Sequence, residues 1–311
     1  MAHNGSRSAT RPICVIGGSG QIGERVVQVL SERGWPVTST YYRHARPGAY
    51  ALDATDATQV HALIAQVRPS LVINSLNAQG GTDACEADPE LARRAHFETA
   101  RHLMDAARAV EAKFVQISTD YVFDGREGPY GEDAMPAPLS QLGRAKLHAE
   151  EYALQYLPES LVVRTSFVFS WTPHSATKNF VMQMFEHDQR KHVLRVPNDQ
   201  VGNVTYAPNF AEALVELIEL GASGLYHVAG TTRCSKHAWA LRVAAYFGLS
   251  PEIIEGVSTA ALGQRGPRPL QSGFRLEKVQ AVLKRTRLLS LDEGLADMAR
   301  EMGVVGQSVG R

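Results

Sequence analysis

Glycine recurs at positions 17, 20 and 23 in the string Gly17-Gly18-Ser19-Gly20-Gln21-Ile22-Gly23, between the apolar run Ile13 to Ile16 and an amphipathic segment from Gln21 to Arg33. Glycine at a strand-to-helix junction permits a tight turn and a close backbone approach, so that a pyrophosphate can sit on the N–H groups of the helix N-terminus. The placement predicts a dinucleotide site built on Gly17, Gly20, Gln21, Ile22 and Gly23. The end of the second strand then selects between NAD, whose ribose hydroxyls bond a carboxylate, and NADP(H), whose extra phosphate needs cations. Thr40 to Pro47 contains no carboxylate, while Arg43 and Arg46 carry forked donors suited to phosphate. NADP(H) is therefore the expected cofactor, and the competing reading makes these arginines ordinary solvated loop charges. Asp53 either lines the adenine site or caps the helix beginning near Asp56. Tyr42, Ala54 and Ser75 complete the expected cofactor-binding set.

These residues need a frame, and the hydrophobic pattern supplies one. Short apolar runs at Ile13 to Ile16, Val37 to Tyr42, Leu71 to Ile73, Lys113 to Ile117 and Leu161 to Val163 alternate with helical stretches. Those stretches run from Gln21 to Arg33, Ala57 to Val67, Pro89 to Val110 and Ser140 to Leu157. The rhythm predicts an α/β fold with five parallel strands in a doubly wound, Rossmann-type sheet. Beyond Arg164 the pattern loosens, with Pro173, Pro197 and Pro208 separating short elements, and a smaller C-terminal substrate lobe is expected there. The expected organisation is a disordered leader at 1–11, a cofactor domain at 12–164 and a lobe at 165–311 that interlocks with it.

Composition narrows the function. A chain of 311 residues buries a substantial core without disulfides. With 32 basic against 32 acidic side chains there is no global drive toward nucleic acid or an anionic membrane, so neither partner is expected. Cys14, Cys85 and Cys234 are odd in number and lack metal-ligand spacing, which fits a reducing cytoplasm and predicts no metal site. No apolar run approaches the roughly 18 to 20 residues of a membrane helix, and the polar start from Met1 to Thr10 predicts neither signal nor anchor.

The string Ser118-Thr119-Asp120-Tyr121-Val122-Phe123-Asp124-Gly125 resembles the extended short-chain dehydrogenase/reductases, and more narrowly the dTDP-4-dehydrorhamnose reductase group. The regulatory beta subunit of methionine adenosyltransferase is also similar to that group. Pro129 to Asp133, Asn179 to Val181, Asp199 to Gly202, Arg268-Pro269 and Ser272 carry the resemblance across most of the chain. It implies a Ser/Thr at the end of the fourth strand, here Thr119, and a Tyr-x-x-x-Lys pair whose lysine is Lys146. Residues four apart share a helix face, so the lysine can tune the tyrosine acid and also reach the nicotinamide ribose. Position 142, where that tyrosine belongs, is Leu142. A leucine cannot donate a proton. Asp120 is the candidate replacement if buried and protonated, with local backbone bonding as its other reading. The expected catalytic set is Thr119, Asp120 and Lys146.

The resemblance also implies a substrate side formed by Leu76, Asn77, Tyr130, Leu142, Gln200 and Arg268, with Thr205 and Ser272 at matching positions. Leu76 and Asn77 depart from the family's strand end, and His96 stands where an asparagine is usual. Tyr130 has loop packing as its alternative reading, and Arg268 a solvated loop. His148 falls on another helix face from Lys146 and reads as surface. Two functions follow. One is an NADPH-dependent oxidoreductase acting on a sugar-like or nucleotide-linked carbonyl, a small-molecule substrate. The other is a non-redox NADP(H)-binding protein, either a regulatory subunit with a protein partner or an enzyme of another reaction class. Homodimerisation is a family expectation only.

Overall fold

A computed structural model describes residues 11–78, 80–173 and 178–304 of the chain. Every residue of β1 (Ile13–Ile16), β4 (Leu71–Asn74) and β6 (Leu161–Thr165) is buried. Near-continuous apolar runs of this kind belong to interior strands of a parallel sheet covered on both faces. With β2 (Val37–Tyr41), β3 (Tyr50–Ala51), β5 (Lys113–Thr119) and β11 (Gly224–His227) they form one seven-stranded sheet in the order β11-β6-β5-β4-β1-β2-β3. All six pairings are parallel. The sheet thus has two strands more than the five expected. β3 is two exposed residues, and β11 comes from the less regular second half, so neither carries a period that a sequence pattern can reveal.

Helices α1 (Gln21–Glu32) and α8 (Ala207–Glu219) pack side by side on one face, over Val15, Val26 and Leu214. The other face carries α2 (Ala57–Val67), α5 (Thr99–Ala109) and α6 (Gln141–Tyr156), over Cys14, Leu103 and Phe114. Since α8 and β11 belong to the second half of the chain, that half contributes to the sheet as well as to the lobe. The helix expected from Pro89 to Val110 is composite. After α3 (Gly81–Ala87) comes a short α4 (Pro89–Ala92), then a wide π turn at Arg93–Glu98, and only then α5.

The lobe is assembled from three small strand pairs and three helices. β7 (Val168–Phe169) pairs with β10 (Thr205–Tyr206), β9 (Val201–Asn203) with β12 (Arg233–Ser235), and β8 (Leu194–Pro197) with β13 (Ile254–Val257). With α7 (Phe180–Arg190), α9 (Lys236–Phe247) and α11 (Leu291–Glu301), they enclose a core that includes Phe169, Trp239, Val243 and Leu295, while α10 (Glu277–Val282) packs against β11. Residues 1–10 of the expected leader lie outside the described residues. Arg11, assigned to that leader, is instead tied to the sheet end, donating to the carbonyls of Arg68, Pro69 and Val110. No helix of the described residues is long and apolar enough to cross a membrane.

A buried ion pair fastens α6 to the sheet. Arg164 of β6 donates from Nε to both carboxylate oxygens of Glu150 at 3.0 and 3.1 Å, and from Nη2 to Oε2 at 2.6 Å. The two residues are only 2% and 1% exposed. The guanidinium lies 5.0 Å from the Phe123 ring centroid, and Nη1 faces Nε2 of His227 at 3.4 Å. Burial and then the Arg164 charge hold His227 down at about 3, so its ring stays neutral and accepts. Removing one partner of a buried pair strands the other's charge. Arg164→Met is expected to cost about 3–5 kcal/mol of stability, measured by urea unfolding. Glu150→Gln/Arg164→Met is expected to recover more than half of that loss.

Candidate functional site

The glycine turn lies at the C-terminal edge of β1, whose neighbours are β4 on one side and β2 on the other. That reversal of strand order opens the crevice in which doubly wound folds take ligands. Gly17 has φ +80°, and a Cβ on Gly23 would stand 2.2 Å from the Gly17 carbonyl oxygen, so neither position tolerates a side chain. The turn is held from below. Gly17 N–H donates to Thr40 Oγ1 at 3.0 Å, and Ser75 Oγ donates to the Ile16 carbonyl at 2.7 Å. Ser75 therefore braces the turn with its hydroxyl already engaged. Gln21 Nε2, in the first turn of α1, is buried with no hydrogen-bond partner among the described residues. A bare backbone cradle and an orphaned amide donor fit the pyrophosphate of a dinucleotide.

Arg43 and Arg46 follow β2 as expected, but Arg46 is not open. Its Nη2 lies 3.3 Å from Glu24, a residue of the first turn of α1, while its Nε is buried without a partner. The Arg43 guanidinium stacks 5.3 Å from the centroid of the exposed Tyr42 ring. Asp53 does not cap a helix. It closes a local turn, accepting from Thr55 N and Oγ1 at 3.0 and 2.7 Å, whereas the cap of α2 is Asp56, which accepts from Thr58 and Gln59. Ala54 is buried beside it.

Thr119 ends β5 and Asp120 follows it, whereas Lys146 approaches from α6. Lys146 is buried and donates from Nζ to the Leu76 carbonyl at 3.0 Å and the Ile117 carbonyl at 3.4 Å. Burial pushes its ammonium down to about 8, opposed by the carboxylate of Glu150 one turn along the same helix face. Leu142, one turn before Lys146, is buried against Cys85, Ala92 and Ala145. Gly143 lets α6 lie on the turn that follows β5, since a Cβ there would meet the Tyr121 carbonyl at 2.2 Å. His96 sits in the π turn with both ring nitrogens buried and unpartnered, and burial, then Lys146, holds it well below the usual imidazole range. His148 is exposed.

Asp120 immediately follows Thr119 and is 2% exposed. Thr119 Oγ1 donates to Oδ1 at 3.2 Å, whereas Oδ2 and the nearby Ser272 hydroxyl are buried with no partner in hydrogen-bonding geometry. Burial raises its carboxyl to about 6, with Ser272, Thr119 and Lys236 pulling it partly back. A carboxyl so placed keeps its proton to a higher pH than a solvated aspartate does. Lys236 escaped the sequence reading. It reaches this spot through the pairing of β12 with β9, a contact that local pattern does not encode.

The expected substrate residues divide. Leu76 is half-buried beside Gly17, and Asn77 is exposed at the same strand end. Tyr130 is a packing residue. Its ring stacks on Phe123 at 4.1 Å, and its hydroxyl donates to Asp124 and accepts from the N–H groups of Arg126 and Glu127. It lines a depression of 530 Å³ with Met135 and Arg275 that none of Thr119, Asp120 and Lys146 borders. Gln200 is buried, and its amide donates to Thr259 and Gln264, pinning the lobe. Arg268 is no solvated surface charge. It pairs with Asp83 of α3 at 2.6 Å and holds that carboxyl below the usual range. The described residues hold no group of three or more His, Cys, Asp or Glu that could bind a metal ion.

Comparison with known proteins adds to this geometry. A protein named dTDP-4-dehydrorhamnose reductase from Streptomyces griseus is 32% identical over 265 residues, 83% of each chain. Methionine adenosyltransferase 2 subunit beta from Xenopus laevis is 28% identical over 277 residues, covering 87% of this chain and 82% of its own. The crystal structure of dTDP-4-dehydrorhamnose reductase from Bacillus anthracis str. Ames, in complex with NADP, matches with a TM-score of 0.83 at 26% identity. It covers 94% of this chain and 99% of that one. The family model described as RmlD substrate binding domain matches residues 11–303, and the chain belongs to that family.

Proposed function

We propose that the protein is an NADPH-dependent reductase of a nucleotide-linked keto sugar, with Asp120 supplying the proton that the family's helix tyrosine would give. The observation that carries this reading is the carboxyl of Asp120, buried beside Thr119 with Oδ2 unpartnered. The relatives named as reductases supply the substrate class, and the NADP complex of the Bacillus anthracis protein supports the cofactor.

The glycine turn and Gln21 would hold the pyrophosphate, and Arg43 and Arg46 the 2′-phosphate. When bound, NADPH supplies the hydride. Thr119 orients the carbonyl oxygen, and Asp120 gives it a proton as negative charge develops there. Lys146, fixed by the Leu76 and Ile117 carbonyls, places its charge under the same edge of the sheet.

A second reading, a non-redox NADP(H)-binding partner of another protein, is favoured by Leu142 and by the likeness to the Xenopus laevis subunit. Activity separates the two. Under the reductase reading, NADPH oxidation with a panel of nucleotide 4-keto sugars proceeds in the wild type. Asp120→Asn is expected to lower kcat/KM by about 10²- to 10⁴-fold. The acid must be protonated, so kcat/KM is expected to be highest at low pH and to fall as pH rises through about 6. Leu142→Tyr offers a second acid and is expected to extend activity above that midpoint, read from the same profile. Turnover by Leu142→Tyr but not by wild type establishes the non-redox reading. Arg46→Ala is expected to weaken NADPH binding about tenfold or more while sparing NADH, measured by quenching of protein fluorescence.

A further inference from the structure

β4 reads Leu-Val-Ile-Asn, and its last residue breaks the apolar run that an interior strand calls for. Asn74 stands opposite Gln116 of β5 in the parallel register, and the two are only 3% and 1% exposed. Burying two amides between a sheet and its covering helices costs stability unless their polar atoms find partners. Here the side chains form a directed chain. Gln116 Nε2 donates to the Ile117 carbonyl at 2.8 Å, Asn74 Nδ2 donates to Gln116 Oε1 at 2.9 Å, and Leu76 N–H donates to Asn74 Oδ1 at 3.2 Å. With the oxygen and the nitrogen of each amide engaged, neither can turn over without breaking two bonds.

The two ends of this chain are the residues that hold Lys146. Its Nζ donates to the Leu76 carbonyl at 3.0 Å and to the Ile117 carbonyl at 3.4 Å, so Lys146, Leu76, Asn74, Gln116 and Ile117 close a ring. An ammonium has three donors, and among the described residues the third finds no partner. The Leu76 carbonyl is the shorter contact and lies outside the sheet. β4 stops at Asn74, Ser75 donates to the Ile16 carbonyl through both N–H and Oγ, and the chain then turns. The Asn74 side chain closes that turn by accepting from the N–H two residues on. The same turn sets the Leu76 side chain against the glycine turn, since a Cβ on Gly17 would stand 2.9 Å from Leu76 Cδ2. One amide thus governs both the carbonyl that holds the ammonium and the apolar contact with the cofactor loop.

We propose that Asn74, locked in orientation by Gln116, is a positioning residue for Lys146, its side chain fixing the Leu76 carbonyl that holds the ammonium where the cofactor binds. This deepens the reading of Lys146 as part of an NADPH site and rests on it. Carbonyls that accept from an ammonium favour its charged form against the desolvation that burial imposes. The titratable groups facing Lys146 are Glu150 one turn along α6, the Cys85 thiol of α3 and the neutral His96 of the π turn, and none of them takes part in the ring. Without the Asn74 side chain the Leu76 N–H loses its acceptor, the turn loosens, and the carbonyl no longer meets the ammonium.

The deciding experiment follows Lys146 by NMR in the full chain labelled with ¹³C at the lysine ε-carbon, its signal assigned by loss in Lys146→Met. The wild-type midpoint is expected near 8. In Asn74→Ala it is expected to fall by about one unit, as follows when an acceptor of the charged form is lost. Asn74→Ser keeps an oxygen able to accept from the N–H two residues on and is expected to restore the wild-type midpoint. Asn74→Val, whose branched side chain suits a strand, serves if the alanine variant does not fold. An unmoved midpoint in a folded Asn74→Ala or Asn74→Val, or a serine variant shifted as far as alanine, overturns the proposal. NADPH affinity is then measured by fluorescence quenching at the wild-type midpoint. There a fall of about one unit leaves about a tenth of Lys146 charged instead of about half, so the Kd for NADPH is expected to rise about fivefold. A shifted midpoint with unchanged affinity supports the brace and refutes Lys146 as a cofactor contact. Both readouts are taken without substrate, so a lack of turnover on any keto sugar counts against the reductase reading alone.

Discussion

One carboxylate serves two buried cations. Glu150 binds Arg164 through three hydrogen bonds and, one turn away on α6, offsets the desolvation of Lys146. Neither cation would be tolerated at that depth alone. The pair from α6 to β6 fixes the height of the helix over the sheet. That height in turn lets Lys146 reach the carbonyls at the ends of β4 and β5 and presses Leu142 onto Cys85 and Ala92. His227 and Phe123 close the assembly from β11 and from the turn after β5, so the innermost charges join three strands and one helix.

Apolar packing fills the face of α6 where the family places its acid. Asp120 comes from the end of β5, and its electrostatic neighbours Ser272 and Lys236 come from the second half of the chain. The surroundings of Asp120 are therefore shared between the sheet and the lobe. Arg268 and Asp83 form a second tie between the same two parts, with Asp83 also accepting from Gly266 N–H. Both contacts depend on how the lobe seats against α3 and β5.

What was legible in the sequence was local. The glycine turn, the interior strands and α6 with Lys146 and Leu142 on one face all follow from spacing within a few residues. Asp120 could be singled out because it adjoins Thr119, although its burial could not. Long-range pairings were hidden. Arg268 meets a partner 185 residues away, and Lys236 is delivered by a three-residue strand pair too short to show a period. For Tyr130 the sequence left substrate contact and loop packing both open, and three hydrogen bonds within its own loop show the packing.

The π turn at Arg93–Glu98 also explains why the run from Pro89 to Ala109 resists a single helical wheel. Each residue advances an α-helix by about 100°, and a wide turn takes up one extra residue. The turn acts as an angular coupling between two rods indexed separately. Ala92, before it, packs with Cys85, Leu142 and Ala145, and Ala100, Leu103, Met104 and Ala107, after it, pack over the sheet. Removing a single residue within the turn lets it close to an ordinary α-helical turn with both stripes still in place, whereas removing one from a regular α-helix rotates everything beyond it by about 100°.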